Sequence, residues 1–573
     1  MDYYDLGTFS RPVTTSSAEA QLWFDRGLAW AYGFNHEEAV SCFEAAAAAD
    51  PGCAMAHWGI AYALGPNYNK PWEFFDAADL TRTVDRAHAA VEQAHATVVG
   101  ATPAEQALIQ ALRARYPQSR AVQDCSAWNE PYAEAMRAVY ELAPDDPDVA
   151  ALYADALINL TPWRLWDIRT GQPAAGARTL EAKAVLDRAV AGAGAGHPGV
   201  LHMYIHLMEM SPVPEAALAV ADRLRGMVPD AGHLQHMSSH LDVLCGDFRQ
   251  VVSGNSQAIV ADEKYLRRAG AMNFYTLYRS HDYHFKIYGA MFLGQSKVAL
   301  ETAAQLEASI PEDLLRVPSP PMADWLEGFL AMRAHVLIRF GRWADILALP
   351  MPADPRLYCV TTAMLHYARG VAFSATGRIG EAEAERERFR RATKGVPQSR
   401  TLFNNTCADI LAIASAMLDG ELAYRKGEYD LAFAALERSI ALDDNLPYDE
   451  PWGWMQPTRH AYGALLLEQG RVAEAEALYR ADLGLDDTLP RPLQHPGNVW
   501  ALHGLHECLV RLGKAGEAGI IAQQLKIAAA LADVPIKSSC FCRLHAAATP
   551  TAQDSCCRGP DPERPVLSPG CSK

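Results

Sequence analysis

Seven histidines in the middle of the chain have the spacing of a shared metal site. Within three short segments they recur at intervals of three, four or seven residues, so each set projects from one face of a helix. Neutral imidazole is the commonest protein ligand for Zn, Fe, Cu and Ni. The pattern therefore indicates a metal site or a polar catalytic centre. The seven are His202, His206, His233, His236, His240, His281 and His284.

Seven imidazoles are more than one tetrahedral ion needs. Two interpretations stay open: two bound ions, or one ion whose remaining histidines act in proton transfer or orient the ligands. Glu209 is the candidate general base, Asp282 is a second nearby carboxylate, and Tyr288 is a candidate proton donor. HMYIH lacks the glutamate of the zinc-peptidase motif HExxH. The strongest ligand candidates are His202, His206, His236 and His240.

These segments are predicted to be helical hairpins that repeat along the chain. Trp23, Gly27, Ala39, Phe43 and Pro51 have the offsets of a tetratricopeptide repeat (TPR) of about 34 residues. A glycine followed by an amphipathic stretch recurs, as in RFGRWADIL and RKGEYDLAFAALERSI. Strand patterns are scarce. The predicted fold is an all-α, TPR-like right-handed superhelical solenoid of antiparallel helix pairs. Repeats are predicted to start near 20, 198, 232, 280, 327, 363, 413, 456 and 499.

In this frame the histidines occupy the same first-helix positions of three consecutive repeats. First helices of TPR solenoids face the concave groove, and adjacent helices lie about 8–10 Å apart, so the side chains can converge on one cavity. Five regions are predicted. They are an N-terminal segment (1–19), N-terminal TPR-like repeats (20–190), central His-rich repeats (191–310), C-terminal repeats (311–534) and a flexible Cys-rich tail (535–573).

Three aromatic insertions with Pro or Gly interrupt the repeats, at 65–76, 159–176 and 448–457. Such insertions often cross the mouth or inner face of a solenoid. The last is followed by Arg459 and His460. Its Asp449 and Glu450 could line a substrate pocket or cap the groove, and an ordered loop between repeats is the alternative. Packing roles are predicted for Tyr68, Trp72, Trp163 and Trp166, and isolated groove polar roles for His335, His460 and His503.

Composition narrows the classes of partner. The net charge of −17 and pI near 5.6 argue against nucleic acid or an anionic membrane. No secretory signal or membrane span is evident, and scattered single cysteines are typical of a reducing compartment, so a cytoplasmic location is expected. For the tail we predict reduced thiols. The alternatives are a soft-metal site, redox disulfides, or a tail that folds into the groove and adds thiolates to the histidine site. The tail cysteines are Cys540, Cys542, Cys556, Cys557 and Cys571.

The favoured function is a transition-metal-dependent enzyme acting on a small molecule. A metal-dependent hydrolase or hydratase would use metal-bound water, whereas an oxidoreductase would activate oxygen at open Fe or Cu positions. Zn, Fe and Cu all stay open as the ion. The alternative is a non-enzymatic scaffold whose concave groove binds a peptide or partner protein.

Longer motifs resemble a subgroup of bacterial and fungal TPR proteins. The motifs are YGFNHEEAVSCFEAAAAADP, AHWGIAYALGPNYN, HPGVLHMYIHLMEMS, DAGHLQHMSSHLDVLCGDF and YDEPWGWMQP. Members commonly have proline where Ser238 stands in the HMxSH motif, a departure that leaves the histidines intact. The resemblance implies an α-helical superhelix and brings no settled activity.

Overall fold

The computed structural model of the chain describes residues 3–544. In this part the chain forms 27 α-helices and two very short hairpins. The first fourteen helices are α1 (Ala18–Tyr32), α2 (His36–Ala49), α3 (Ala54–Leu64), α4 (Ala77–Ala96), α5 (Pro103–Arg115), α6 (Asn129–Leu142), α7 (Pro147–Ile158), α8 (Thr179–Ala191), α9 (Pro198–Glu209), α10 (Leu218–Leu224), α11 (Gly232–His236), α12 (Ser238–Cys245), α13 (Phe248–Ala269) and α14 (Thr276–Phe292).

The remaining helices are α15 (Ser296–Ser309), α16 (Glu312–Leu315), α17 (Met322–Leu326), α18 (Met332–Arg339), α19 (Trp343–Ala348), α20 (Cys359–Ala375), α21 (Ile379–Thr393), α22 (Cys407–Arg425), α23 (Tyr429–Asp444), α24 (Thr458–Glu468), α25 (Val472–Asp482), α26 (Val499–Arg511) and α27 (Ala515–Ala529). Two antiparallel pairs of strands complete the set: β1 (Trp166–Asp167) with β2 (Gln172–Pro173), and β3 (Thr401–Leu402) with β4 (Asn405–Thr406).

Helices adjacent in sequence pack as antiparallel pairs, which confirms the predicted all-α, TPR-like class. The first pair shows why. Phe43 of α2 fills a space left by two glycines, since a methyl group at Gly27 or Gly59 would come within 2.7 Å or 2.4 Å of its ring. Small residues thus let α1, α2 and α3 approach closely around one buried aromatic side chain.

The predicted glycine turns between paired helices are present. Gly246 follows α12 with φ of 80°, a left-handed conformation that only glycine adopts at little cost. Its amide bonds back to the carbonyl of Val243, and Asp247 then caps α13. Equivalent glycines with positive φ are Gly294, Gly341, Gly377, Gly427, Gly470 and Gly513.

One predicted helix is split. Between His236 and Ser238 the regular helix is interrupted, so the histidine segment consists of α11 and α12. Met237 between them keeps helical dihedral angles, with φ of −53° and ψ of −37°, so the chain continues in the same direction.

The three insertions fold inward, as their aromatic content suggests. Tyr68 and Trp163 stack with ring centroids 5.1 Å apart, and Trp163 lies 6.5 Å from Tyr448. The largest buried core extends from Tyr4 to Trp500. Insertions from distant parts of the sequence therefore meet inside the solenoid.

The start of the predicted tail packs on the last repeats. Ser538 and Ser539 are buried, and the structure joins Cys540 to Cys542 as a disulfide instead of leaving the reduced thiols expected from sequence. The local turn brings their Cα atoms within 5.2 Å, a separation suited to a disulfide. The other tail cysteines, Cys556, Cys557 and Cys571, lie outside the described residues. Among residues 3–544, no helix is long and apolar enough to cross a membrane.

Candidate metal centre

The seven histidines lie on four helices and are all buried. Helix α9 carries His202 and His206, α11 carries His233 and His236, α12 carries His240, and α14 carries His281 and His284. None is more than 6% exposed. Six of them form two triads, in each of which three potential ligand atoms lie within 4.8 Å of one another.

The first triad consists of His202, His206 and His233. His202 Nδ1 lies 2.6 Å from the carbonyl oxygen of Tyr32, and His206 Nδ1 lies 3.1 Å from Glu209 Oε1. Donation to these oxygens places the ring proton on Nδ1 and leaves Nε2 as a lone-pair donor. Neither Nε2 has a partner, and both ring nitrogens of His233 are unpartnered too.

The second triad consists of His236, His240 and His281. His236 Nδ1 lies 2.7 Å from Asn255 Oδ1 and 3.3 Å from an oxygen of Asp282. The Nε2 atoms of His236 and His240 face each other at 2.7 Å. When both Nδ1 atoms donate to the oxygens that they face, both Nε2 atoms present lone pairs to each other and cannot form a hydrogen bond. A cation between them would remove this conflict.

The triads cross the boundaries of the predicted repeats. His233 joins the two histidines of α9, whereas His236, three residues later, joins α12 and α14. On a helix, residues three apart point about 60° away from each other, so His233 faces α9 and His236 faces α14. Histidines at equivalent positions of the predicted repeats therefore do not all belong to the same triad.

Glu209 links the two triads. Its Oε1 lies 3.1 Å from His206 Nδ1 and its Oε2 lies 2.8 Å from His240 Nδ1. Glu450, from the loop before α24, also contacts His240 Nδ1. Burial, followed by repulsion from Glu450, raises the pKa of Glu209 to about 8, and burial raises that of Glu450 well above its usual value. The two carboxyl groups therefore favour holding a proton between them.

Burial sets the charge of most of the imidazoles. Desolvation, with repulsion between neighbouring rings, holds their pKa values well below the ordinary range. They are neutral at pH 7, which is the form that binds metals. This holds for His202, His206, His233, His236 and His281.

Aromatic rings enclose the triads. Phe34, in the turn between α1 and α2, lies 4.5 Å from the ring of His202, and Tyr68 lies 4.7 Å from that of His206. Phe403, between β3 and β4, lies 4.6 Å from His281. These rings exclude water from the centre, which strengthens electrostatic interactions inside it.

Two predicted site residues lie elsewhere. His284 Nε2 is 2.8 Å from Met455 Sδ, and burial lowers its pKa to about 3. Tyr288 is buried against Phe292, with ring centroids 4.6 Å apart. Neither residue belongs to the two triads. His284 lies just under one turn and Tyr288 about two turns farther along α14 than His281, so a shared helix face did not bring them to the same point.

Several residues at the centre were not singled out by sequence reasoning. Asn255 carries no motif. Phe34 and Phe403 contact the triads from turns in which their own φ angles are positive, at 55° and 48°, a conformation uncommon for such bulky residues. The sequence places Glu450 in a loop that could line a substrate pocket or cap the groove, and does not relate it to His240. Nothing in the sequence pattern relates these positions to the histidines.

One small cavity reaches the centre at His281. It has a volume of about 30 Å³, which suits a few atoms of water size. His281 Nδ1 has no hydrogen-bond partner. The wall combines aromatic and polar side chains, namely Asn69, Phe74, Trp163, Leu277, Tyr278, His281, Phe403, Asn404 and Asp449.

No protein-family model matches the chain, and no curated protein is similar to it. Solved structures with some likeness include the APC/C hetero-tetramer Cut9–Hcn1, with 14% identity, a TM-score of 0.30, and coverage of 86% of this chain and 76% of that one.

Two further structures are the TPR domain of P58(IPK) and Naa15/Naa10 bound to HypK-THB. Their identities are 11% and 12%, and both TM-scores are 0.20. They cover 87% and 89% of this chain, and 99% and 70% of their own. The likeness has no bearing on what this chain binds.

Proposed function

We propose that this chain is a transition-metal-dependent enzyme that holds one ion in each histidine triad and acts on a small molecule. The observation that carries the proposal is the convergence of buried imidazoles in two adjacent sets of three histidines. Four of the six rings are anchored through Nδ1, and ring nitrogens of the first triad and of His281 have no partner. In known metal sites, ligating histidines commonly donate their second ring N–H to a carboxylate or carbonyl.

The cost of leaving the nitrogens unpaired supports an ion. Four ring nitrogens of the first triad, on His202, His206 and His233, are buried without a partner. Each such group costs about 1–3 kcal/mol, so the set costs on the order of 4–12 kcal/mol. That sum approaches the roughly 5–15 kcal/mol by which a whole domain is stable. Coordination to one ion would satisfy one nitrogen of each ring.

The donor set favours Zn, Cu or Fe over Mg and Ca, because the latter prefer oxygen ligands. Zn–N distances of about 2.0–2.1 Å put nitrogens of a tetrahedral site roughly 3.3 Å apart. The potential ligand atoms now lie within 4.8 Å of one another, and the Nε2 atoms of His236 and His240 are 2.7 Å apart, so binding an ion requires side-chain rotations in both triads.

The surrounding residues hold the ligands in place. The Tyr32 carbonyl, Glu209 and Asn255 accept from Nδ1 atoms and thereby fix ring orientation and tautomer. A bound ion of this class supplies Lewis acidity, acidified water or an open position for oxygen. The cavity at His281 supports a small reactant, since its volume of about 30 Å³ excludes a bulky one from the closed form.

Metal analysis of protein purified without an affinity tag tests the metal sites. We expect about two Zn, Fe or Cu ions per chain. His202→Ala with His206→Ala should remove one ion, His236→Ala with His240→Ala should remove the other, and His503→Ala is the buried control outside both triads. Metal-free protein whose unfolding does not respond to chelation would contradict the proposal and favour a scaffold.

Access of a small reactant is tested with azide on cobalt-substituted protein. We expect azide to change the visible spectrum, and Phe403→Trp, which narrows the cavity at His281, to weaken that response at least tenfold. Phe340→Trp is the control. Phe340 is buried beside Trp500 and does not line the cavity at His281. An equal response in all three proteins would contradict this route.

A further inference from the structure

A short C-terminal segment crosses the inner side of the last repeats. We define residues 537–544, KSSCFCRL, as the strap. It contacts α18, α22, α24, α25 and α26. The chain just before it reaches back to α15, where Asp533 accepts from the backbone amides of Ser296 and Lys297. Ser538, Ser539, Cys542 and Arg543 of the strap are buried.

Side chains of the repeats bind the backbone of the strap. Arg339 donates to the carbonyl of Ser539 at 2.9 Å, and Arg425 donates to the carbonyl of Cys542. The Ser539 hydroxyl lies 2.6 Å from that of Tyr479. Contacts to main-chain carbonyls do not depend on the side chains of the bound segment, so they suit peptides of differing sequence.

Two side chains of the strap supply specificity. Arg543 donates to both oxygens of Glu507 at 2.6 Å and 2.9 Å, a bidentate pair. Phe541 packs on Trp500, with ring centroids 5.9 Å apart, and lies so close to Gly341 that a methyl group there would come within 2.9 Å of its Cβ. The groove thus recognises an aromatic residue followed, two positions later, by arginine.

The strap does not fill the groove. A cavity of about 40 Å³ remains between it and the inner helices. Its walls include Tyr367, Met417, Leu436 and Leu465, together with Cys540 and Cys542 of the strap. A peptide with a larger side chain at these positions would bury more apolar surface than the strap does.

From these contacts we propose that the inner groove of the C-terminal repeats is a peptide-binding site, occupied here by the chain's own strap. Its external ligand is an extended peptide with the pattern aromatic–x–Arg. A tethered segment has an effective concentration in the millimolar range, so the strap excludes weak ligands and yields to tight ones. The site is separate from the histidine triads and does not depend on metal.

Trypsin cleavage after Arg543 in the full-length chain measures release of the strap. We expect the free, oxidised peptide of residues 537–544 at millimolar concentration to speed cleavage at least threefold by competing for the groove. A peptide with alanine in place of Phe541 and Arg543 is the control. Equal cleavage rates with both peptides would overturn the proposal.

Direct binding gives a second measurement. The labelled strap peptide should bind the full-length Arg543→Ala variant at least tenfold more tightly than the wild-type chain, because the internal competitor is weakened. Adding Glu507→Ala should abolish that gain. Arg511→Ala is the control, since Arg511 contacts Glu507 at 3.3 Å from outside the strap. No binding to a correctly folded Arg543→Ala chain would also overturn the proposal.

Discussion

The central repeats and the C-terminal repeats use the same helix-pair scaffold but fill their inner side differently. In the central repeats, imidazole rings face one another under aromatic loops, and several ring nitrogens have no partner. In the C-terminal repeats, His460 Nε2 lies 2.8 Å from Asp482 and its Nδ1 accepts from Arg339. A buried histidine is therefore no sign of metal by itself. His335 and His503 of the C-terminal repeats also have an unpartnered Nδ1, so the convergence of three rings separates the central repeats from the C-terminal ones.

The largest expected difference between the regions is their response to chelation. Removing an ion present at a thousand times its Kd costs about 4 kcal/mol per site. Amide exchange should accelerate in α9, α11 and α14 and stay constant in α20 and α26. Mass spectrometry after exchange measures this. A uniform change over both regions, or none, would remove the proposed contrast.

Glu209→Gln should weaken metal binding by tenfold to a hundredfold, up to about 3 kcal/mol. The amide retains the shape of the side chain but has one acceptor oxygen instead of two, so it cannot accept from both His206 and His240. Competition with a metal-binding dye gives the affinity. Asp443→Asn changes a buried carboxyl group of the C-terminal repeats and should leave the affinity unaltered. Equal loss in both variants would point to general destabilisation.

His335 on α18 is a buried histidine that belongs to neither triad, and its effect on the pH dependence of stability can be tested. Burial lowers its pKa to about 3, so the unfolded chain, with a pKa near 6.5, binds the proton more readily. Stability from this residue is complete above pH 6.5 and is lost as pH falls toward 3. Between pH 7 and pH 5 the loss is about 2 kcal/mol.

His335→Leu should reduce this acid sensitivity in urea unfolding curves, and metal content should not change. An unaltered pH dependence in the variant, or a loss of metal, would show that His335 does not simply stay neutral in the core.

The smallest predicted effect is on the rate of cleavage after Arg543, and it distinguishes backbone strain at a glycine from loss of contact with the strap. Gly341 and Gly377 have positive φ, at 61° and 74°, but only Gly341 touches the strap, at Phe541. Alanine at either position should cost about 1 kcal/mol. Only Gly341→Ala should speed tryptic cleavage after Arg543. Equal cleavage in both variants would mean that Phe541 does not hold the strap.

The fold could be predicted because its determinants are local. Gly246 and its equivalents close each pair of helices, and Phe43 between two glycines sets the helix spacing. The histidine cluster could be predicted for the same reason, since its members lie close in sequence on helices of adjacent repeats.

The assignment of each histidine could not be predicted. His233 and His236 share one helix and point only about 60° apart. The packing of α9, α12 and α14 around that helix decides which triad each of them joins, and a repeat pattern does not contain that packing. Glu450 and Phe403 reach the triads from remote parts of the chain through tertiary closure, which leaves no trace in periodicity. His284 shares the helix face of His281 but meets Met455.

The enclosure of the triads has a consequence for how the protein is made. Every histidine of both triads is synthesised before Phe403 and Glu450, the residues that close over His281 and His240. At about 5–20 residues per second, the ribosome needs on the order of ten seconds to make the sequence between. During that interval Phe34 and Tyr68 are already present beside His202 and His206, whereas the rings of His240 and His281 are still open on one side. Under the proposed function, metal supply in this window would decide which ion the second triad receives.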